Sequence, residues 1–279
     1  MKTIGIVTAT RAEYGLLYPV IKALRKYESD ELRVDLIVTG THLVAEYGET
    51  INDICKDGVR IDEILKIPTK SNNGVDISLN QAEALAEFAK LFGRKRYSAV
   101  VLLGDRYETL MFAIAASNLL IPIIHLYGGD TTEGAIDESI RHSITKMSLW
   151  HFPTNEISRQ RIIQLGEDPK RVFNFGASGT DNIVNAELFA KKEALDSVGL
   201  SDCKYALCTY HPVTLETTDV HHQIMDFIDA LSEYKDSTAI EYAYSKCKES
   251  IKVGGIFAGE IDSIRENIKE QANGFTGNK

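Results

Sequence analysis

Residues 99–108 read AVVLLGDRYE. Five apolar residues in a row, with no polar alternation, suit a strand covered on both faces, as in the middle of a parallel sheet. The switch at Gly104 to a glycine and charged residues marks the end of that strand, because glycine lets the backbone turn tightly. In open α/β sheets ligands bind beyond the carboxyl ends of the strands. Gly104 to Glu108 is therefore both a chain reversal and a candidate site. Asp105 suits two roles. It can cap the next helix, worth about 1 kcal/mol, or it can act as a catalytic carboxylate. A cap needs neither the Gly before it nor the Arg after it.

The same alternation continues on both sides of this stretch. Ile4–Val7, Leu32–Thr39 and a weaker Ile61–Ile67 read as strands on the N-terminal side. Helices are expected at Glu13–Lys26 and Asp76–Phe92, the second with a stripe of Ile77, Leu79, Ala84, Leu85, Phe88 and Leu91. On the C-terminal side come a helix at Arg106–Leu119, an apolar run Ile121–Leu126, a helix at Asp137–Met147 and a strand at Leu149–Phe152. A further helix and strand follow at Arg159–Leu165 and Val172–Phe175. Repeated βα units imply a parallel sheet with helices on both faces. The composition places a domain change near Gly176–Asp181, so that a Rossmann-like domain occupies residues 1–180. A helix at Asn182–Val198, a strand at Tyr205–Thr209 and a helix at Val220–Tyr234 would begin a second α/β domain over 181–236. Residues 237–279 read as a divergent tail with a polar end at Asn273–Lys279.

Forty acidic against 31 basic side chains give a formal charge of −9. That balance argues against a nucleic-acid partner, which needs a basic stripe. No run approaches the roughly 20 apolar residues of a membrane span, and the start lacks a signal-peptide pattern. The four cysteines have no zinc spacing. They suit small buried positions in a reducing, cytoplasmic setting.

Other candidates also lie at strand ends. His125 to His142 reads HLYGGDTTEGAIDESIRH, with two adjacent glycines that suggest a close backbone approach, four acidic residues and two histidines. Asp137 and Arg141, four apart, suit a helical ion pair; Asp130 and Glu133 suit a solvated acidic loop. Thr8 to Arg11 offers hydroxyls and an arginine at a helix N-terminus, a form suited to phosphate or to a plain cap. His42 and His211 each end an expected strand.

Taken together, TRAEYG at Thr10–Gly15, GTHL at Gly40–Leu43, GDRYE at Gly104–Glu108, GAIDESIRHSITK at Gly134–Lys146 and HPVT at His211–Thr214 resemble the hydrolysing UDP-N-acetylglucosamine 2-epimerases. The nearest branch is that of sialic and legionaminic acid synthesis, and the resemblance runs from Met1 to about Lys235. It implies a GT-B-like fold of two Rossmann-type domains, the second incomplete in this sequence. It also implies conversion of UDP-N-acetylglucosamine and water to UDP and N-acetylmannosamine, by elimination to 2-acetamidoglucal and then addition of water, without a cofactor or metal. By motif, Asp105 and Asp137 become the acid/base carboxylates and His211 the group near the leaving diphosphate. Arg11 becomes a phosphate contact, and His42, Glu108, Arg141 and His142 become pocket residues. Many members carry an acidic residue where this chain has Tyr127, which leaves Asp130 or Glu133 to supply that charge. The family's Gly-Asn-Ser-Ser-Ser-Gly-type segment and later Arg do not follow Lys235. An active epimerase for that sugar, an epimerase for a related bacillosamine-type UDP-sugar, a weakly active or inactive nucleotide-sugar-binding relic and a GT-B glycosyltransferase are the competing expectations. The paired acidic motifs favour elimination chemistry over glycosyl transfer. A homo-oligomer, dimer or tetramer, is expected.

Overall fold

The computed structural model describes residues 1–69, 73–132, 135–185, 189–199 and 224–228. By packing, the chain divides into two units, Met1–Ala186 and Glu187–Lys279. The first contains strands β1 (Lys2–Thr8), β2 (Leu32–Val38), β3 (Glu63–Ile64), β4 (Ala99–Leu103), β5 (Ile123–Leu126) and β6 (Trp150–Phe152). They form one six-stranded sheet in the order β3-β2-β1-β4-β5-β6, and every pairing is parallel. The helices of this unit are α1 (Arg11–Arg25), α2 (Ile51–Lys56), α3 (Gly74–Arg94), α4 (Tyr107–Asn118), α5 (Asp137–Met147), α6 (Glu156–Gln164) and α7 (Ser178–Asn185). In the second unit, α8 spans Lys191–Ser197, and residues 224–228, inside the helix expected at Val220–Tyr234, are helical.

The sheet is covered on both faces. On one face Phe88 and Leu91 of α3 meet Phe112 of α4 and Ile144 of α5; on the other, Leu17 and Ile21 of α1 pack with Ile54 of α2 and Leu36 of β2. Both sets are fully buried, and each such side chain contributes about 1.5–3 kcal/mol. All five residues of β4 are buried, as its uninterrupted apolar run predicts. Chain order reverses between β1 and β4, and a crevice opens at such a point beyond the strand ends. The turns leaving these two strands are Thr8–Arg11 and Gly104–Glu108.

Several expectations need correction. The third strand shrinks from Ile61–Ile67 to two residues. Just before it, the Asp62 carboxylate is used by the Leu36 amide at 2.9 Å and by Arg25, Arg33 and Arg60. Val172–Phe175 forms only a single bridge, Val172 to His151. Asn174 Oδ1 then accepts from the Gly176 amide at 3.2 Å, which turns the chain away from the sheet. The helix expected at Asn182–Val198 is divided: α7 ends at Asn185 and α8 starts after an extended Ala190. Leu79 does not belong to the α3 stripe; it is 58% exposed, and Asn80 takes the buried position. Cys55 is exposed because Ile54 holds the inward face of α2. The other three cysteines and the strand expected at Tyr205–Thr209 lie outside the described residues, as do 237–279.

Candidate active site

Loops at the carboxyl ends of β1, β4 and β5 carry the candidate residues. At the first, Thr10 caps α1 by accepting from the Glu13 amide at 3.4 Å. The Glu13 side chain folds back and Oε2 accepts from the Ala9 and Thr10 amides at 2.8 and 3.1 Å. This capping box has a consequence for anion binding. A carboxylate already occupies the two amides that a phosphate would use, so a ligand phosphate must rely on later amides or on the Arg11 side chain. That side chain is free enough to serve: it is 80% exposed and only 4.0 Å from Asp53 at its nearest pairing.

Glu13 is itself 6% exposed. Burial, which outweighs the backbone hydrogen bonds and nearby Arg106, pushes its carboxyl up to about 7. Its other oxygen accepts from the Thr109 hydroxyl of α4 at 3.3 Å. The sequence reading did not single out Glu13, although Thr10-x-x-Glu13 is the pattern of a capping box.

At the second loop Gly104 has φ +77°, and α4 begins behind Arg106, which makes no side-chain cap. Asp105 is not a cap either. Its carboxylate pairs with the Arg141 guanidinium on α5. The helical Asp137–Arg141 pair is not formed, because Arg141 is directed to Asp105, to the Asp130 carbonyl at 2.7 Å and to the Thr132 hydroxyl at 3.0 Å. Asp137, at the first turn of α5, is left half-buried with no ion pair among the described residues. Burial first, and then the charge of Asp105, raises its pKa. Arg106 pairs with the buried Glu108 at 3.2 Å.

Two histidines support this arrangement from below. His42 is fully buried, its ring nitrogens 3.0 Å from the Thr8 hydroxyl and 2.7 Å from that of Thr50. Burial pushes its pKa down to about 4. Neither nitrogen is left over for a ligand in this geometry. His125, also fully buried and held down to about 4 by burial, lies 2.8 Å from the Gly104 carbonyl and 3.2 Å from the Thr145 hydroxyl. As a neutral ring it donates from Nε2 to Gly104. No local pattern points to this role of His125, because its partners come from distant segments.

The third loop runs through Gly128 and Gly129. A Cβ on Gly128 would lie 2.9 Å from His125 Nδ1, and one on Gly129 would run into the Ser158 carbonyl. The close approach suggested by the glycine pair is thus an approach to the protein itself. Asp130 turns its carboxylate to Ser158 and Asn155 at the start of α6. Tyr127, at φ +63°, sends its hydroxyl to Ser178, 3.2 Å away, and accepts from the Gly179 amide at 3.1 Å. It therefore anchors α7. His142 is partly exposed, with Nε2 3.9 Å from Glu138. Glu133 and His211 lie outside the described residues.

A doubly wound α/β domain opens its ligand crevice beyond the strand ends at the switch point, and here the turn after β1, the Gly104–Glu108 loop and the glycine loop after β5 meet there. Comparison with known proteins narrows this. A family model described as UDP-N-acetylglucosamine 2-epimerase matches residues 23–268; the chain belongs to that family. It is 40% identical over 237 residues to polysialic acid biosynthesis protein P7 of Escherichia coli, covering 85% of this chain and 60% of that protein. It is 36% identical over 240 residues to GDP/UDP-N,N'-diacetylbacillosamine 2-epimerase (hydrolyzing) of Campylobacter jejuni, covering 86% and 62%. The chain spans about 60% of the length of these relatives. The fold matches the UDP-GlcNAc 2-epimerase of Neisseria meningitidis bound to UDP-GlcNAc, with TM-score 0.58 at 20% identity over 66% of this chain and 48% of that one. It also matches the Methanocaldococcus jannaschii enzyme in complex with UDP-GlcNAc and UDP, with TM-score 0.59 at 22% identity over 70% and 54%. The GT-B-like expectation for the fold holds.

Proposed function

We propose that this chain carries the acid/base half of a hydrolysing UDP-N-acetylglucosamine 2-epimerase, converting UDP-N-acetylglucosamine and water to UDP and N-acetylmannosamine. One observation carries the reading. Two neighbouring carboxylates have different environments: Asp105 is ion-paired with Arg141, whereas Asp137 has no ion pair among the described residues and a raised pKa. A carboxyl with a raised pKa beside an ion-paired carboxylate suits the division of acid from base.

In the proposed sequence, Asp105 removes the proton at C2 of the sugar. The C1–O bond breaks and UDP leaves with the bonding electrons, giving the 2-acetamidoglucal. Water then adds across C1 and C2, the hydroxyl going to C1. Asp137 delivers a proton to C2 from the opposite face, which inverts that centre. Arg11 and His211 are assigned to the diphosphate. Glu108, through Arg106, holds the start of α4. Glu133, Asp130 and His142 retain binding assignments by motif only, and Asp130 would act through its loop. The setting proposed is cytoplasmic, with the chain as a homo-oligomer and no cofactor.

The similarity to relatives named as diacetylbacillosamine 2-epimerases supports a second substrate, the corresponding bacillosamine-type UDP-sugar. The test is proton NMR of each UDP-sugar with the purified chain in deuterated water, beside an Asp105→Asn control. Free UDP and a C2-deuterated, inverted sugar from the parent alone support the reading, and the sugar consumed names the substrate. A folded parent that releases UDP from neither sugar overturns it.

A further inference from the structure

We infer that Glu13 is a positioning residue that fixes the phosphate-side turn to the helix following Asp105. The capping box explains only part of its geometry. A capping box needs the N-cap amide alone, yet Oε2 also takes the Ala9 amide, at 2.8 Å. Oε1, which no cap uses, receives the Thr109 hydroxyl from a helix 96 residues away in sequence. One side chain with its two oxygens thus gathers three donors from two elements, buried at the sheet's switch point. Ala9 is held from the other side as well: its carbonyl accepts from the Thr41 hydroxyl at 3.1 Å, and Gly40 packs so close that an added Cβ would lie 2.7 Å from that oxygen. The turn can therefore move only with Glu13. Arg11 follows the turn directly, and Thr109 lies in the first turn of α4, just beyond Asp105 and Arg106. The charged groups facing Glu13 are Arg106 and Glu108, both from the start of α4. Displacements of about 1 Å between groups that must meet one substrate cost roughly a hundredfold in rate.

The inference rests on the proposed epimerase site for its kinetic test alone. Glu13→Gln keeps every contact, since the amide oxygen accepts from both backbone amides and the amide nitrogen donates to the Thr109 hydroxyl. Glu13→Ala loses them all, and Thr109→Val removes only the bridge. UDP-sugar turnover, corrected for the folded fraction, is expected within about threefold of the parent for Glu13→Gln. For Glu13→Ala, kcat is expected to fall about thirtyfold or more with KM little changed, and for Thr109→Val to fall roughly fivefold. Thr109→Val at parental kcat overturns the inference and leaves only a cap. Glu13→Gln as impaired as Glu13→Ala overturns it in favour of a charge role. If the parent turns over no UDP-sugar, the functional reading fails and unfolding midpoints decide the bridge. A Thr109→Val shift that disappears in the Glu13→Ala background supports it, and an unchanged shift overturns it.

Discussion

The proton affinities of single side chains here follow from what surrounds each one. Burial, and after it the nearby charge of Asp105, raises the pKa of Asp137. In Asp105→Asn that repulsion is gone, so carbon-13 NMR of the Asp137 carboxyl should show a lower pKa than in the parent. Glu13 titrates near 7 rather than 4.5 because it is buried, so its favourable contribution is complete below about 4.5 and is lost as pH rises through 7. Urea unfolding from pH 5 to 8 should show the parent losing stability relative to Glu13→Gln, by up to roughly 3 kcal/mol. His42 and His125 act in the opposite sense, since their pKa values lie near 4; their contribution is present above 6.5 and is lost as pH falls through 4. Asp105 and Asp137 were legible in the sequence because each stands in a short motif after a recognisable strand. The Glu13 contact was not, since Thr109 is 96 residues away and local patterns carry no information about such a pair.

At the scale of elements, β4 and α5 match their expected limits because their patterns are unbroken and their ends abrupt. The edges of the sheet were harder to read, because side chains there compete with the ladder. Asp62 holds three arginines and a β2 amide beside β3, so β3 is short and flanked by charge. Such an edge is a poor template for pairing with another sheet. The β5–α5 loop depends on its glycines. Gly129 sits at φ +85° with the Ser158 carbonyl where a Cβ would be. Gly129→Ala must bear both the left-handed backbone cost and overpacking, and should destabilise by about 3 kcal/mol or more in urea unfolding. The sequence marks that pair as a close approach, but not what is approached, because Ser158 belongs to another element.

For the whole molecule, a pair of neighbouring phenylalanines lies on the surface of the first unit. Phe173 and Phe175 stack nearly parallel, at 7°, and Phe175 is 83% exposed. Exposed apolar groups of this kind favour association, and sedimentation velocity should find a dimer or tetramer. A monomer with a single sharp unfolding transition contradicts that expectation. Doubly wound topology itself was readable from the strand and helix alternation, whereas the division of 182–198 into two helices was not, since both halves have helical composition. The strand order also has a consequence for biosynthesis. β1 is made first, yet it pairs with β2 on one side and with β4 on the other. Until Ala99–Leu103 leaves the ribosome, one edge of β1 has no strand partner. A nascent chain paused before that point presents an open β1, and a chaperone binding newly made protein would find it there, in the stretch of synthesis between residues 38 and 99.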